Sequence, residues 1–423
     1  MLELLFYHAL LVSFTILHRY LLSKGQSRYN ESKKEGSDPI IIGNKLFVPI
    51  LAVGVFGIIN TEMGIVGILP FVAEYYSVDI VQAGELVWMF ALGVAIAGPV
   101  MPLLFSGVNR KTVMLLVLGM FFISNVVSVF AGRFDVLLAA RVIPAFFHPI
   151  YCSLAFSLAA SSVAPERAPK AVAKIVVGVS AGMVIGVPIS NFLAAVFSLT
   201  MAMAFFAIVN AVVFLATLLF VPSMPVVERQ SYGSQIAVLK RMDVLASILA
   251  VILMNGAVFG VFNYLAEYLV KVTGLADGLV SILLFVYGAM NIGGSMLAGE
   301  MLARNALRTV QFFIMALLAV YFLLFAGGSF PLPMAVLTVL WGILGGINGN
   351  VTQYWIARSA PEAPDFANGL FLTAANLGTT LGTMFGGGFI ELWGIRYLVF
   401  SGAVFILLAG IVTRLQLRMR RSC

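Results

Sequence analysis

Residues 46–74 read LFVPILAVGVFGIINTEMGIVGILPFVAE, and this stretch decides the class of fold. Glu62 is its only ionisable residue before Glu74 ends the run. An apolar run of about 20 residues spans a bilayer as a helix, whereas a strand of an outer-membrane barrel alternates apolar and polar residues over about ten positions. The stretch is long enough for a helix and does not alternate, so it predicts a membrane-spanning helix.

Eleven further apolar runs follow, and short polar loops separate most of them. The chain is 61% hydrophobic and 10% charged, whereas a soluble domain carries about 25% charged residues. The pattern predicts an all-α polytopic membrane protein with twelve spans, numbered one to twelve in chain order. The predicted spans are 46–74, 82–105, 112–131, 134–160, 170–198, 202–222, 242–270, 277–299, 309–327, 331–357, 366–391 and 395–413.

The longest connection divides the twelve spans into two sets of six. It predicts an N-terminal six-helix bundle at 45–222, a central cytoplasmic loop at 223–241 and a C-terminal six-helix bundle at 242–413. Residues 414–423 then form a basic cytoplasmic tail.

Residues 1–44 form an N-terminal extension whose nature the sequence leaves open. Its first 22 residues are apolar but include His8, His18 and Arg19, and a polar segment follows. A signal peptide carries positive charge before its apolar core, whereas here the charge follows it. A thirteenth helix, an interfacial segment and an upstream stretch from a misassigned start codon all fit, and no function is assigned to the extension.

Basic residues predict the orientation, because cytoplasmic loops carry an excess of lysine and arginine. Three lie in the loops on one side: Arg133, Lys271 and Arg396. The other side holds the basic tail together with Arg110, Lys111, Arg167, Lys170, Lys174, Arg229, Lys240, Arg241, Arg304, Arg308 and Arg358. This distribution predicts a cytoplasmic C-terminus and, with the net charge of +7 spread over short loops, a membrane protein rather than a nucleic-acid-binding one.

The two halves repeat each other, as is common in transporters. Three matches join corresponding spans: residues 71–76 with 264–269, the Ala-Pro-Glu loops at 164–169 with 360–364, and Gly178, Gly182 and Gly186 with Gly378, Gly382 and Gly386. Glycines four residues apart share one helix face and let a neighbouring helix approach closely. They fit either static packing or a contact that slides, and Pro188 favours bending because it removes a backbone hydrogen bond.

These segments resemble the major facilitator superfamily over residues 45–420, and within it the bacterial drug:proton antiporter group near its sugar-efflux branch. The resemblance rests on TEMGIVGILP at 61–70, ALGVAIAGP at 91–99, Arg141 with AFFH at 145–148, GMVIGVP at 182–188, Trp341-Gly342 and Asn376-Leu-Gly378. It implies alternating access, a cavity lined by spans one, four, seven and ten, a bacterial inner-membrane location and a monomer.

Two segments depart from the family pattern. The loop after span two, SGVNRK at 106–111, keeps Arg110 and Lys111 but lacks the usual aspartate. Span five has Ser190-Asn191 where the antiporter motif closes with paired glycines. Both departures weaken the expectation of antiport and leave the expected fold unchanged.

Three ionisable residues in the first half are candidates for proton coupling. A charged side chain inside a membrane is costly, so an ionisable residue there is a candidate functional residue. Glu62 and Arg141 lie deep in spans one and four. The two spans are neighbours in the resembled fold, so a pair is feasible. His148 lies two turns from Arg141 on the same face and is a candidate relay. The alternatives are a static salt bridge and a histidine that is only hydrogen-bonded.

Amide and aromatic residues of the second half are candidates for binding substrate. Amides both donate and accept hydrogen bonds, so they suit sugar or nucleoside groups, although many serve only to join helices. The candidates are Asn255, Asn263, Tyr287, Asn291, Trp341, Asn348 and Gln353.

The sequence therefore favours a secondary-active exporter of a small neutral or amphipathic solute, driven by proton entry. A proton-independent uniporter and a proton-symport importer remain as alternatives, and a non-transporting receptor is a remote one. No nucleotide-binding loop of the Gly-x-x-x-x-Gly-Lys-Ser/Thr type is present, and Cys152 and Cys423 offer no metal spacing. We expect no enzyme activity, no cofactor and no metal; the expected partners are a small solute, protons and the bilayer.

Overall fold

Ten helices in the described part of the chain are long and apolar enough to cross a membrane. The computed structural model describes residues 46–163, 168–226, 239–360 and 364–422, and it contains no strand within them. The all-α prediction is therefore confirmed. Three features predicted from the sequence lie outside the described residues or at their edges: the extension at 1–44, most of the central loop and the repeated Ala-Pro-Glu loops.

The described helices account for all twelve predicted spans. The segment Asp277–Gly327 consists of two helices, spans eight and nine, which meet at a kink at the non-helical residue Asn305. Span eleven is the 30-residue helix Pro364–Trp393, whose length of about 45 Å exceeds the roughly 30 Å of bilayer hydrocarbon. The other helices are Phe47–Gly64, Leu69–Tyr76, Ile80–Ala83, Glu85–Ala97, Met101–Leu104, Arg110–Val129, Phe134–Ala145, His148–Ser161, Ala168–Val196, Leu199–Phe220, Met242–Phe262, Leu265–Lys271, Pro331–Ser359 and Leu398–Ser422.

Spans one and seven occupy equivalent places in the two halves. Span one packs against spans five and six, and span seven packs against spans eleven and twelve. Between the halves, span five contacts span eight, and span two contacts span eleven. The packing therefore repeats as the sequence does.

The halves share an apolar core at one end of the molecule. One buried cluster, which includes Phe47, Phe121 and Ile175, lies wholly in the first half. The other combines much of the second half with residues 65–87, 131–137 and 187–206 of the first. Those three segments lie at the end opposite the loop that carries Arg110 and Lys111. We call these the opposite end and the basic end.

The basic loop after span two is fastened within its own half. The Asn109 side chain accepts hydrogen bonds from the backbone N–H groups of Lys111 and Thr112, which caps span three. Lys111 Nζ donates to the Leu218 carbonyl at 2.9 Å, in the last turn of span six. A cation at a helix C-terminus is favourable, so the loop ties span three to span six.

Candidate functional site

Spans one and four are both broken helices, and prolines explain the breaks. Span one changes from an α-helix to a 3₁₀ segment at Ile65–Ile68, and a new helix with Pro70 in its first turn follows. Span four stops after Ala145 and resumes at His148, with Pro149 in the first turn of the new helix. Proline lacks the N–H group that would continue the preceding helix, so each of the two spans is interrupted where the candidate residues lie.

Glu62 and His148 meet between these two broken spans. The Glu62 Oε2 to His148 Nε2 distance is 3.0 Å, and the side chains are 9% and 5% exposed. The Cys152 Sγ atom lies 3.7 Å from the same imidazole nitrogen, one turn along span four. A carboxyl group and an imidazole at this distance can share one proton, and the pair can exist with either one or two protons in total.

Arg141 binds the backbone of span one rather than the Glu62 carboxylate. Its guanidinium donates to the carbonyl oxygens of Thr61 at 3.0 Å and Glu62 at 3.3 Å, and to Leu86 of span two at 3.4 Å. The side chain is buried, and its Cζ atom lies 5.5 Å from the centre of the Phe90 ring. The feasible Glu62–Arg141 pair is thus replaced by a Glu62–His148 pair, while the guanidinium holds the chain just before the break.

Thr61, next to Glu62, joins span one to spans three and six. Its hydroxyl oxygen accepts from Asn125 Nδ2 at 3.0 Å and from Asn210 Nδ2 at 2.9 Å, and it donates to the Gly57 carbonyl. Sequence reasoning did not single out these amides. A buried amide in an otherwise apolar predicted span is the signal that marks Asn125 and Asn210, since such groups need partners.

The glycine ladder of span five lies against span one. An added Cβ at Gly182 would lie 2.8 Å from the Ile59 Cβ atom. One at Gly178 would overlap the Ala52 carbonyl, and one at Gly186 would overlap the Asn60 amide. The predicted close approach of the two helices is therefore present. Pro188 lies within the same helix as these glycines.

In the second half, an amide pair joins spans seven and ten. Asn348 Nδ2 donates to Asn255 Oδ1 at 3.2 Å, and both residues are buried. The Asn348 Oδ1 atom is buried and has no hydrogen-bond partner among the residues that the structure describes. This pair joins the first and fourth spans of its half, as Glu62 and His148 do in the first half.

An aromatic cluster lies in the same half. The Tyr287 ring stacks on Phe262 with centroids 4.5 Å apart, and it meets Trp341 edge-on at 5.4 Å. Tyr287 and Trp341 are almost fully buried. Their rings therefore pack against protein and do not offer a free stacking surface.

The remaining amides lie apart from one another. Asn263 donates to Thr383 of span eleven at 2.7 Å, and its Oδ1 atom has no partner within the described part of the chain. Asn291 is half-buried beside Gly345, and Gln353 is exposed. Asn255 and Asn348 are thus the two predicted amides that the structure joins by a hydrogen bond.

Comparison with known proteins places the fold. Residues 51–363 match the model of the Major Facilitator Superfamily. An uncharacterized MFS-type transporter, YtbD of Bacillus subtilis (strain 168), is 28% identical and aligns over 88% of this chain and 96% of its own. A probable sugar efflux transporter of Helicobacter pylori (strain P12) is 25% identical, over 86% of this chain and 93% of its own.

Solved structures agree with the fold. A bacterial homolog of the human lysosomal transporter Spinster, in an inward-facing and unoccupied conformation, matches with a TM-score of 0.70 and 18% identity over 90% of this chain and 98% of its own. The nucleoside transporter NupG matches with a TM-score of 0.68 and 17% identity, over 89% and 98%. The family match covers most of the chain, and the packing agrees with it. This chain belongs to the Major Facilitator Superfamily and is a multi-pass membrane transporter.

Proposed function

We propose that the chain exports a small neutral or amphipathic solute by alternating access, in exchange for protons, across a bacterial inner membrane. The single observation that carries the proton part is the buried Glu62–His148 contact of 3.0 Å. Intramembrane ionisable residues in a transporter mark ion pathways. The basic loops and tail support a cytoplasmic basic end.

The pair fits a site that loads and unloads a proton. With one proton between them, a carboxylate faces an imidazolium and the two groups attract each other. A second proton neutralises the carboxylate and removes that attraction. Arg141 donates a hydrogen bond to the backbone carbonyl oxygen of Glu62. Protonation of the Glu62 carboxyl group therefore acts on a segment of span one that Arg141 already fixes near the break. Loading can thereby alter the packing of spans one and four.

The second half fits a neutral solute. Asn255 and Asn348 carry no charge, and the free Asn348 Oδ1 atom can accept a hydrogen bond from a solute O–H or N–H group. The names of the sugar and nucleoside transporters among the relatives support a hydroxyl-bearing solute. We place proton handling in the first half and solute binding largely in the second.

Proteoliposomes with an imposed pH gradient test the proposal. The solutes are pentoses, thiogalactosides, nucleosides and amphenicol-type drugs. Exchange for protons predicts that an acidic lumen drives solute uptake above equilibrium, whatever the orientation of the protein. An acidic exterior would drive uptake by a symporter instead, and a uniporter would respond to neither gradient; either result rejects antiport.

Glu62→Gln, with Glu74→Gln as its matched control, tests the proton site. Both changes remove a carboxylate from span one, but Glu74 is exposed at the end of that span. We expect Glu62→Gln to abolish gradient-driven accumulation while solute–solute exchange without a gradient persists, which shows that the protein is folded. Glu74→Gln should keep both activities. Undiminished gradient-driven uptake by Glu62→Gln would overturn the assignment.

A further inference from the structure

Asn191 of span five connects the two halves at the opposite end. Its Nδ2 atom donates to the Gly67 carbonyl of span one at 2.6 Å. Its Oδ1 atom accepts a short hydrogen bond from the Ser281 hydroxyl of span eight. Asn191 is 1% exposed and Ser281 is 8% exposed. One amide therefore bridges a backbone group of the first half and a side chain of the second.

The same bridge reaches the break in span one. Ser190, the neighbour of Asn191, donates to the Gly64 carbonyl at 2.7 Å. Gly64 and Gly67 flank the start of the 3₁₀ segment, and Glu62 lies just before it. Arg141 holds this stretch from the span-four side, through the carbonyl oxygen of Glu62. Span five thus grips the broken segment from the other side, directly after the candidate proton site.

These contacts need the two residues that depart from the family pattern. Glycines at positions 190 and 191 would supply neither the hydroxyl nor the amide. Span five would still pack on span one through Gly182 and Gly186, but nothing at these positions would tie it to span eight. The departure adds a polar link between spans five and eight, beside the apolar core that the two halves share.

We propose that Asn191 is a positioning residue that couples the break in span one to closure of the opposite end, with Ser281 as the catch on the second half. Movement of the 3₁₀ segment pulls on the Asn191 amide, which releases or engages Ser281. The closure part stands on geometry alone. The coupling part rests on the proposed function, since it takes the proton at Glu62 as the trigger.

Spin labels at the opposite end would measure closure. Phe197 and Leu279 are exposed near the ends of spans five and eight, so Phe197→Cys and Leu279→Cys, with Cys423→Ser, give a label pair whose distance reports opening. Ser281→Ala removes the catch and Ser281→Thr retains its hydroxyl. Ser128→Ala is the control, because its hydroxyl bonds within its own helix to the Ser124 carbonyl.

We expect Ser281→Ala to shift the ratio of open to closed distances about threefold toward open, the factor that one interhelical hydrogen bond in a membrane gives. Ser281→Thr and Ser128→Ala should match the parent. A ratio for Ser281→Ala equal to that of Ser281→Thr would overturn the catch.

The pH dependence of the same ratio tests coupling. Coupling predicts that the parent ratio changes with pH and that Asn191→Gly and Glu62→Gln each flatten this change. A purely structural role of Asn191 would shift the ratio equally at every pH, and that result would overturn coupling. A parent ratio that does not respond to pH would also overturn it, whereas proton-driven export is judged separately by the uptake of solute.

Discussion

The contact between spans one and five can be tested by adding a single methyl group. In Gly182→Ala, the new Cβ would lie 2.8 Å from Ile59 Cβ and Cγ2 and 3.2 Å from the Asn60 nitrogen. Ordinary contacts between carbon atoms are about 3.5–4.0 Å, so the spans must separate by roughly 0.7–1.2 Å at this point. Gly293 of span eight is the matched control, because an added Cβ there meets nothing within 4 Å.

Two opposing effects set the magnitude. Overpacking a well-packed contact costs about 1–3 kcal/mol. Replacing glycine by alanine inside a helix favours folding by about 0.8–1 kcal/mol. Gly182→Ala should therefore lower the free energy of unfolding by roughly 0–2 kcal/mol, and Gly293→Ala should raise it by up to about 1 kcal/mol. The difference between the two variants, about 1–3 kcal/mol, isolates the contact with span one.

Reversible unfolding in mixed detergent micelles, followed by tryptophan fluorescence, measures both variants under the same conditions. The comparison cancels the helix-propensity term, since both glycines lie inside long helices. If Gly182→Ala proves as stable as Gly293→Ala, span five does not approach span one at this residue. The interpretation of the glycine ladder as a close contact would then be wrong.

Two further substitutions test the polar contacts around the break in span one. Arg141→Lys should lower the free energy of unfolding by about 1.5–3 kcal/mol, because an ammonium group cannot replace the planar guanidinium that donates to separate carbonyl groups. As the control, Arg133→Lys, in an exposed ion pair, should change the free energy of unfolding by less than about 0.5 kcal/mol. Equal losses in the two unfolding titrations would contradict this. Thr61→Val should cost roughly 1 kcal/mol, about 0.6 for each hydrogen bond from Asn125 and Asn210, while Thr61→Ser should restore stability; a Thr61→Val protein as stable as Thr61→Ser would refute the network.

The fold follows from the sequence because its determinants are long and repeated. Each span is set by a run of about 20 apolar residues, a signal that local detail hardly disturbs. The close contact at Gly178, Gly182 and Gly186 could also be predicted, since a spacing of four residues places glycines on one helix face whatever lies opposite. The connection between spans eight and nine, predicted at 300–308, is a kink at the single non-helical residue Asn305.

The partners of the polar residues did not follow as readily. Spacing predicted Glu62 and Arg141 at similar depths, and His148 two turns from Arg141 on the same face, but could not say which atoms meet. The breaks near Pro70 and Pro149 rotate the chain locally, so the face of an ideal helix is a poor guide to direction there. Arg141 consequently finds carbonyl groups, and the carboxylate finds the imidazole.

The repeat between the halves allows the Glu62–His148 pair to be compared with a polar pair in the second half. Ile68 and Tyr264 have nearly the same backbone angles (φ −116°, ψ 8° and φ −107°, ψ 12°), and each precedes a short terminal helix of its span. In each half, a polar pair joins the first and fourth spans. One pair is Glu62–His148, which can gain or lose a proton, and the other is Asn255–Asn348, which cannot.

The two halves therefore differ in the charge of the pair that joins their first and fourth spans. In the proposed mechanism, the proton binds at the Glu62–His148 pair of the first half. A solute held by the neutral pair can respond to that proton only through contacts that cross between the halves. The Asn191–Ser281 hydrogen bond is such a contact, and it starts from the same broken segment that carries Glu62. In the proposed division of labour, Asn191 supplies such a polar link at a position where the family pattern has glycine.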